Sequence, residues 1–118
     1  MLRFTLMLIS LSLLSACALT RVSDGAHRKE VDELDAVGLT LDAARAKAVE
    51  NGFACDAQVR RNVSVATANG VRRSDTLECD KTSAELMCPQ RRYVTFNADA
   101  ASGKVYAVGA RIARHSCF

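Results

Sequence analysis

Val59-Arg60-Arg61-Asn62-Val63-Ser64-Val65-Ala66-Thr67-Ala68-Asn69-Gly70-Val71-Arg72-Arg73-Ser74-Asp75-Thr76-Leu77-Glu78-Cys79-Asp80 decides the fold. Val59, Val63 and Val65 share one parity, with Arg60 and Asn62 on the other, and a period of two is the mark of a strand. Ala68-Asn69-Gly70 supplies a hairpin turn, because asparagine and glycine tolerate the positive φ of tight turns. Val71 to Asp80 reads as the return strand, with Leu77 and Cys79 on one face. Lys81-Thr82-Ser83 turns the chain again, and Leu86 to Asn97, begun through Pro89, predicts a third strand with Val94 and Phe96 side by side. Asp99 to Gly103 is a loop. Lys104 to Arg114 is the last strand, and its Tyr106, Val108, Ala110 and Ile112 suit a buried face.

Upstream the period lengthens. Thr40 is placed to cap a helix over Leu41 to Asn51, Asp42 favours its first turn, and Gly52 suits a left-handed stop. Leu41, Ala44, Ala48 and Val49 form its apolar stripe, thin enough for close approach to a sheet, and Phe53 folds back on it. A shorter helix is expected over Ala26 to Val37, with Val31 and Leu34 on one face and Gly38 after it. The fold class is therefore α+β: one or two short N-terminal helices packed on a three- to four-stranded antiparallel sheet, tied by two disulfides. The expected organisation is a signal peptide over 1–16, a lipidated tether with a short helix over 17–38, and a single small α+β domain over 39–118.

The chain opens on a basic start, Met1-Leu2-Arg3, and an apolar run from Phe4 to Leu14, then closes that run with Leu14-Ser15-Ala16-Cys17. This is the layout of an export signal. The closing tetrapeptide resembles a lipobox, the motif at which bacterial lipoproteins are acylated and cut. That resemblance makes Cys17 the first residue of the mature protein and the membrane its partner through the attached lipid. The run is eleven residues long, too short to cross a bilayer, which takes about 20. Acyl chains at roughly 0.8 kcal/mol per buried CH₂ would hold a small domain there.

Five cysteines minus Cys17 leave Cys55, Cys79, Cys88 and Cys117. An even remainder in an exported small domain reads as two disulfides. Three connectivities are open; Cys55–Cys79 with Cys88–Cys117 is favoured, each bridge closing roughly 25–30 residues for on the order of 3 kcal/mol. A zinc site from Cys79, Cys88, His115 and Cys117 lacks the paired spacing of a zinc knuckle, so no metal and no cofactor are expected.

A formal charge of +3 is too mild to argue for nucleic acid. Its distribution is more telling: Asp24 to Glu50 holds seven acids against four bases, whereas beyond Ala57 ten Lys/Arg face five Asp/Glu. No tryptophan and few aromatic residues argue against a sugar-stacking cleft, and no small-molecule substrate is evident. The histidines, His27 and His115, have no nucleophile placed with them, since neighbours on a strand such as His115 and Ser116 point to opposite faces, so no catalytic residues are expected. Three arginine pairs stand out: Arg60-Arg61, Arg72-Arg73 and Arg91-Arg92. Alternation sends one member of each to either face, and the exposed members would form a basic stripe for lipid phosphates, anionic cell-wall polymer or an acidic protein.

A lipidated cysteine, one or two short helices and a sheet closing on Gly103-Lys104-Val105-Tyr106-Ala107-Val108 resembles in architecture the small outer-membrane assembly lipoproteins of the SmpA/BamE type. That resemblance implies a non-catalytic binding or accessory module with an envelope protein as partner. Ala18 after the lipidated cysteine, in place of aspartate, points to the periplasmic face of the outer membrane. The alternative is a periplasmic inhibitor or immunity lipoprotein neutralising a cell-wall hydrolase or toxin. For it, the loop with Ser102, Gly103 and Tyr106 is similar to the Ser-Gly-x-x-Tyr loop of lysozyme inhibitors, with one residue more before the tyrosine.

Overall fold

The structure, a computed structural model, describes residues 22–83 and 89–113. The expected export signal, Cys17, Cys88, His115, Cys117 and the expected strand start at Leu86 lie outside the described residues. Two helices, α1 (Asp24–Glu33) and α2 (Leu41–Glu50), precede five strands: β1 (Ala54–Cys55), β2 (Arg60–Thr67), β3 (Gly70–Thr82), β4 (Arg91–Asp99) and β5 (Val105–Ala113). All strand pairs are antiparallel, in the order β1-β3-β4-β5, with β2 also on β3. The fold is α+β, with one strand more than the sequence suggests. β1 is two residues long and carries no periodicity to read.

Both helices lie on one side of the sheet. Leu77, Cys79, Val94, Phe96, Ala98 and Val105 face Val31, Leu34, Leu41, Ala44, Ala48 and Phe53 in one core. Ala44 and Ala48 present no bulk, so α2 seats close to the strands. Thr40 caps α2 by accepting from the Ala43 amide at 3.3 Å, and Phe53 returns to the core through its amide on the Ala48 carbonyl at 3.0 Å. Val49 departs from the expected stripe and is 55 % exposed, since it lies about 100° round the helix from buried Ala48.

The first helix starts and stops earlier than Ala26 to Val37. Ser23 takes the cap, its Oγ accepting from Ala26 at 3.1 Å, and Asp35 adopts a positive φ of 48° that ends the helical path. Gly38 serves the next turn instead, donating to the Val105 carbonyl at 2.8 Å, and Val37 is left exposed. Even the segment before α1 is fixed. The Val22 amide donates to Gln90 Oε1 at 3.0 Å and its carbonyl accepts from Gln90 Nε2 at 2.7 Å, so Val22, four residues ahead of the expected helix start at Ala26, is tied to the residue before β4. His27 is buried in α1, its Nε2 donating to the Tyr93 carbonyl at 2.8 Å. Glu30 of α1 accepts from Lys81 at 2.6 Å and from Arg92 at 2.9 Å.

Two bulges set which side chains face the core. Asn62 has φ 52°, and the register jumps between Arg60↔Thr76 and Val63↔Ser74. Val59 therefore packs toward the core, while Val63 and Val65 turn to the other face beside Ser74 and Arg72. A second irregularity, Asn97↔Ala107 followed by Ala98↔Val105, leaves Tyr106 as the extra residue. Val105 takes the buried place expected of Tyr106, whereas Val108 and Ala110 do pack on the core.

Cys55 and Cys79 are direct partners across β1 and β3 and are joined by a disulfide, as favoured from sequence. This also removes Cys79 from any thiolate metal set. The sequence separation is 24, and a loop of that size is worth about 3 kcal/mol by chain entropy. Cys55→Ala combined with Cys79→Ala is expected to lose about that much in urea unfolding; an unchanged midpoint would place the stability elsewhere.

Asp75 pins the first bulge, accepting from the Asn62 amide at 2.9 Å and from Arg61 at 3.0 Å. The Asn62 amide, with Arg61 adding to it, holds this carboxyl below its ordinary 3.8 against the opposing effect of burial. A carboxyl depressed in the fold stabilises it above the unfolded value, and the contribution vanishes as pH falls through the folded value. Asp75→Asn should thus lower the urea midpoint at pH 6, and the two proteins should converge in acid as the carboxyl protonates.

Candidate partner-binding face

The second side of the sheet carries neither helix. Its rows follow from register: Arg60, Val63 and Val65 on β2; Arg72, Ser74, Thr76, Glu78 and Asp80 on β3; Tyr93, Thr95 and Asn97 on β4; Gly109 and Arg111 on β5. Arg91 joins them at the start of β4, opposite Thr82. Apart from Val63 and Val65 on the hairpin, this side is mostly polar and the other apolar, as a half-covered antiparallel sheet requires.

Alternation distributes the arginine pairs as the sequence implies. Arg60, Arg72 and Arg91 stand on this open face. Arg61 turns to Asp75 in the bulge, and Arg73 donates to the Asn62 carbonyl at 3.2 Å. Arg92 is buried under α1 on Glu30, so it leaves the expected stripe for a structural role. Arg111 replaces it. This residue has no arginine neighbour to flag it, and only the register Tyr93↔Arg111 brings it here.

Around Tyr93 the face becomes a cluster. The Arg111 guanidinium lies 4.0 Å from the ring centroid and that of Arg91 5.6 Å, so a π-face attractive to cations is flanked on two sides. Glu78 bridges Arg111 at 3.6 Å and Arg60 at 3.8 Å, and Asp80 holds Arg91 at 2.9 Å. The hydrogen bond that Arg91 donates to Asp80 raises the Arg91 pKa further, which leaves its charge fixed.

These pairs are layered. Arg60 and Arg111 keep 64 % and 60 % of their side-chain surface, whereas the Glu78 between them keeps 24 %. Arg91 keeps 49 % above an Asp80 at 23 %. Carboxylates lie against the strands and guanidinium groups stand outside them. An approaching molecule therefore meets cations first.

The loop singled out from sequence meets the far end of this face. Arg72 stacks on the Tyr106 ring at 3.7 Å and bridges Asp99 at 3.3 Å, while the Tyr106 hydroxyl and Ser74 Oγ share a hydrogen bond. The Asp99 carboxylate accepts from the Ala101 amide at 3.1 Å, which with Arg72 holds its pKa below the ordinary value. Gly103, at φ 72°, closes the turn by donating to the Asp99 carbonyl at 2.7 Å. Ser102 is exposed at the tip, with its Oγ accepting from the Lys104 amide at 3.4 Å. Tyr106 is thus drawn onto the hairpin through Arg72 and Ser74, while Ser102 stays exposed in the turn that Gly103 closes.

No protein-family model matches the chain, and no curated protein and no solved structure matches it either.

Proposed function

We propose that this chain is a non-catalytic, lipid-anchored module of the bacterial envelope that meets an anionic partner through the open face of its sheet. The observation that carries the reading is the outward layering of guanidinium groups at Arg60, Arg91 and Arg111 over Glu78 and Asp80. Ion pairs at this exposure contribute about 0–1 kcal/mol each to stability, so folding alone gives weak reason for the arrangement. An exported location is supported by the Cys55–Cys79 disulfide, since such bonds persist in oxidising compartments, and by the lipobox resemblance ending at Cys17.

A second bridge, Cys88–Cys117, belongs to the same reading. Arg91 and Ala113 are direct partners in register, and the two cysteines stand three and four residues beyond them. Those lengths reach at most about 10–14 Å, enough for the sulfurs to meet from adjacent positions.

Metabolic labelling with a fatty acid, followed by fractionation, tests the anchor. The native chain should carry label and sediment with membranes, and Cys17→Ser should lose both; a variant that stays membrane-bound and unlabelled would end the lipoprotein reading. Non-reducing peptide mapping should recover one cross-linked species holding Cys88 and Cys117. In-cell cross-linking of native protein against Arg60→Glu/Arg111→Glu should show partner recovery falling with the charge reversal.

A further inference from the structure

The surface that faces the membrane is set by two independent features, the length of the tether and the segregation of charge. We infer that the open arginine face lies against the anionic headgroups of the bilayer that holds the anchor, with the helices turned away. This rests on the proposal that Cys17 is acylated, and it names the anionic partner of the open face as the lipid surface itself.

The tether supplies the first constraint. Val22 is clamped by two hydrogen bonds to the side chain of Gln90, the residue before Arg91. Only five residue steps separate it from Cys17, a reach of at most about 17 Å. β3 alone has 13 residues and extends about 40 Å. A body of that size on so short a leash stays in contact with the headgroup layer, whichever side it presents.

Charge then selects the side. Arg60, Arg91 and Arg111 stand outermost on the open face, and Arg72 extends the row along the hairpin. The opposite layer carries Asp32, Glu33, Asp35, Asp42 and Glu50, all exposed, against exposed Arg28 and Lys29 and half-buried Arg45 and Lys47, so acids outnumber bases there. Each basic group near an anionic bilayer favours adsorption by roughly fivefold, and each exposed acid works against it. Because the anchor already holds the domain at the surface, a preference too weak for a free protein suffices to orient this one.

The chain has no tryptophan, so a single introduced indole reports its own position. The test uses the full lipidated protein in vesicles of phosphatidylethanolamine with one-quarter phosphatidylglycerol and a trace of dansyl headgroup label. Tyr93→Trp marks the open face and Val49→Trp the exposed side of α2. Energy transfer is expected to be several-fold greater from Tyr93→Trp. That difference should collapse in high salt, and also when Arg91→Glu and Arg111→Glu are added. Acylated protein with equal transfer from both sites, or more from Val49→Trp, overturns the orientation and leaves the face to a protein or cell-wall polymer. A protein without acyl mass on Cys17 overturns the anchor, and the inference with it.

Discussion

Burial of one face of β3 is the constraint on which the rest of this domain depends. Leu77 and Cys79 are fully enclosed, and the same strand pairs with β1, β2 and β4, so its position fixes every other strand. A one-residue slip would expose Leu77 and bury Glu78, at a cost in both apolar surface and carboxylate desolvation. The disulfide reinforces that register from the side, because Cys79 is bonded to its own cross-strand partner. The small faces of Ala44 and Ala48 then let α2 close the core without a second layer of large side chains.

Most of this frame is legible in the sequence, and the exceptions share a cause. The β2–β3 hairpin follows from alternation and Asn69-Gly70, and the structure closes it with Thr67 opposite Gly70. Thr40, Gly52 and Phe53 act as their residue types suggest. What the sequence conceals is parity after a bulge. One extra residue at Asn62 turns Val63 and Val65 away from the core, and another at Tyr106 moves Val105 into it. A bulge is a relation between two strands, and the Asp75 carboxylate that pins the first lies 13 residues from Asn62. The face follows the same rule: Arg60, Arg72 and Arg91 are readable from their pairs, while Arg111 is visible only through its register with Tyr93.

The helix layer shows a different kind of hidden information. α1 has a polar sequence and few apolar residues, yet it is held by His27 on the Tyr93 carbonyl and by Glu30 between Lys81 and Arg92. Arg92 is nearly enclosed there, so removing Glu30 would strand a charge in a site poor in water, a loss far larger than an exposed pair represents. These contacts join residues more than 50 positions apart, and no local pattern announces them. Val22 ahead of the helix is held by another such contact, to the Gln90 side chain 68 positions away.

Acids and bases thus perform different tasks in the two layers. Glu30 gathers Lys81 and Arg92 inward, where their pairing ties α1 to β3 and β4. Glu78 and Asp80 do the reverse, lying low on the strands so that Arg60, Arg91 and Arg111 are held upright above them. A lone arginine on an open strand would sample many rotamers. One braced by a carboxylate below and by the Tyr93 ring beside it has lost much of that freedom before any partner arrives. Such bracing adds little to folding, because exposed pairs are screened and worth about 0–1 kcal/mol. Its physical consequence lies in binding, where side chains already ordered cost less to engage. The weak ion pairs of the open face thus add little to the fold, and under the proposed function they serve to prepare a surface.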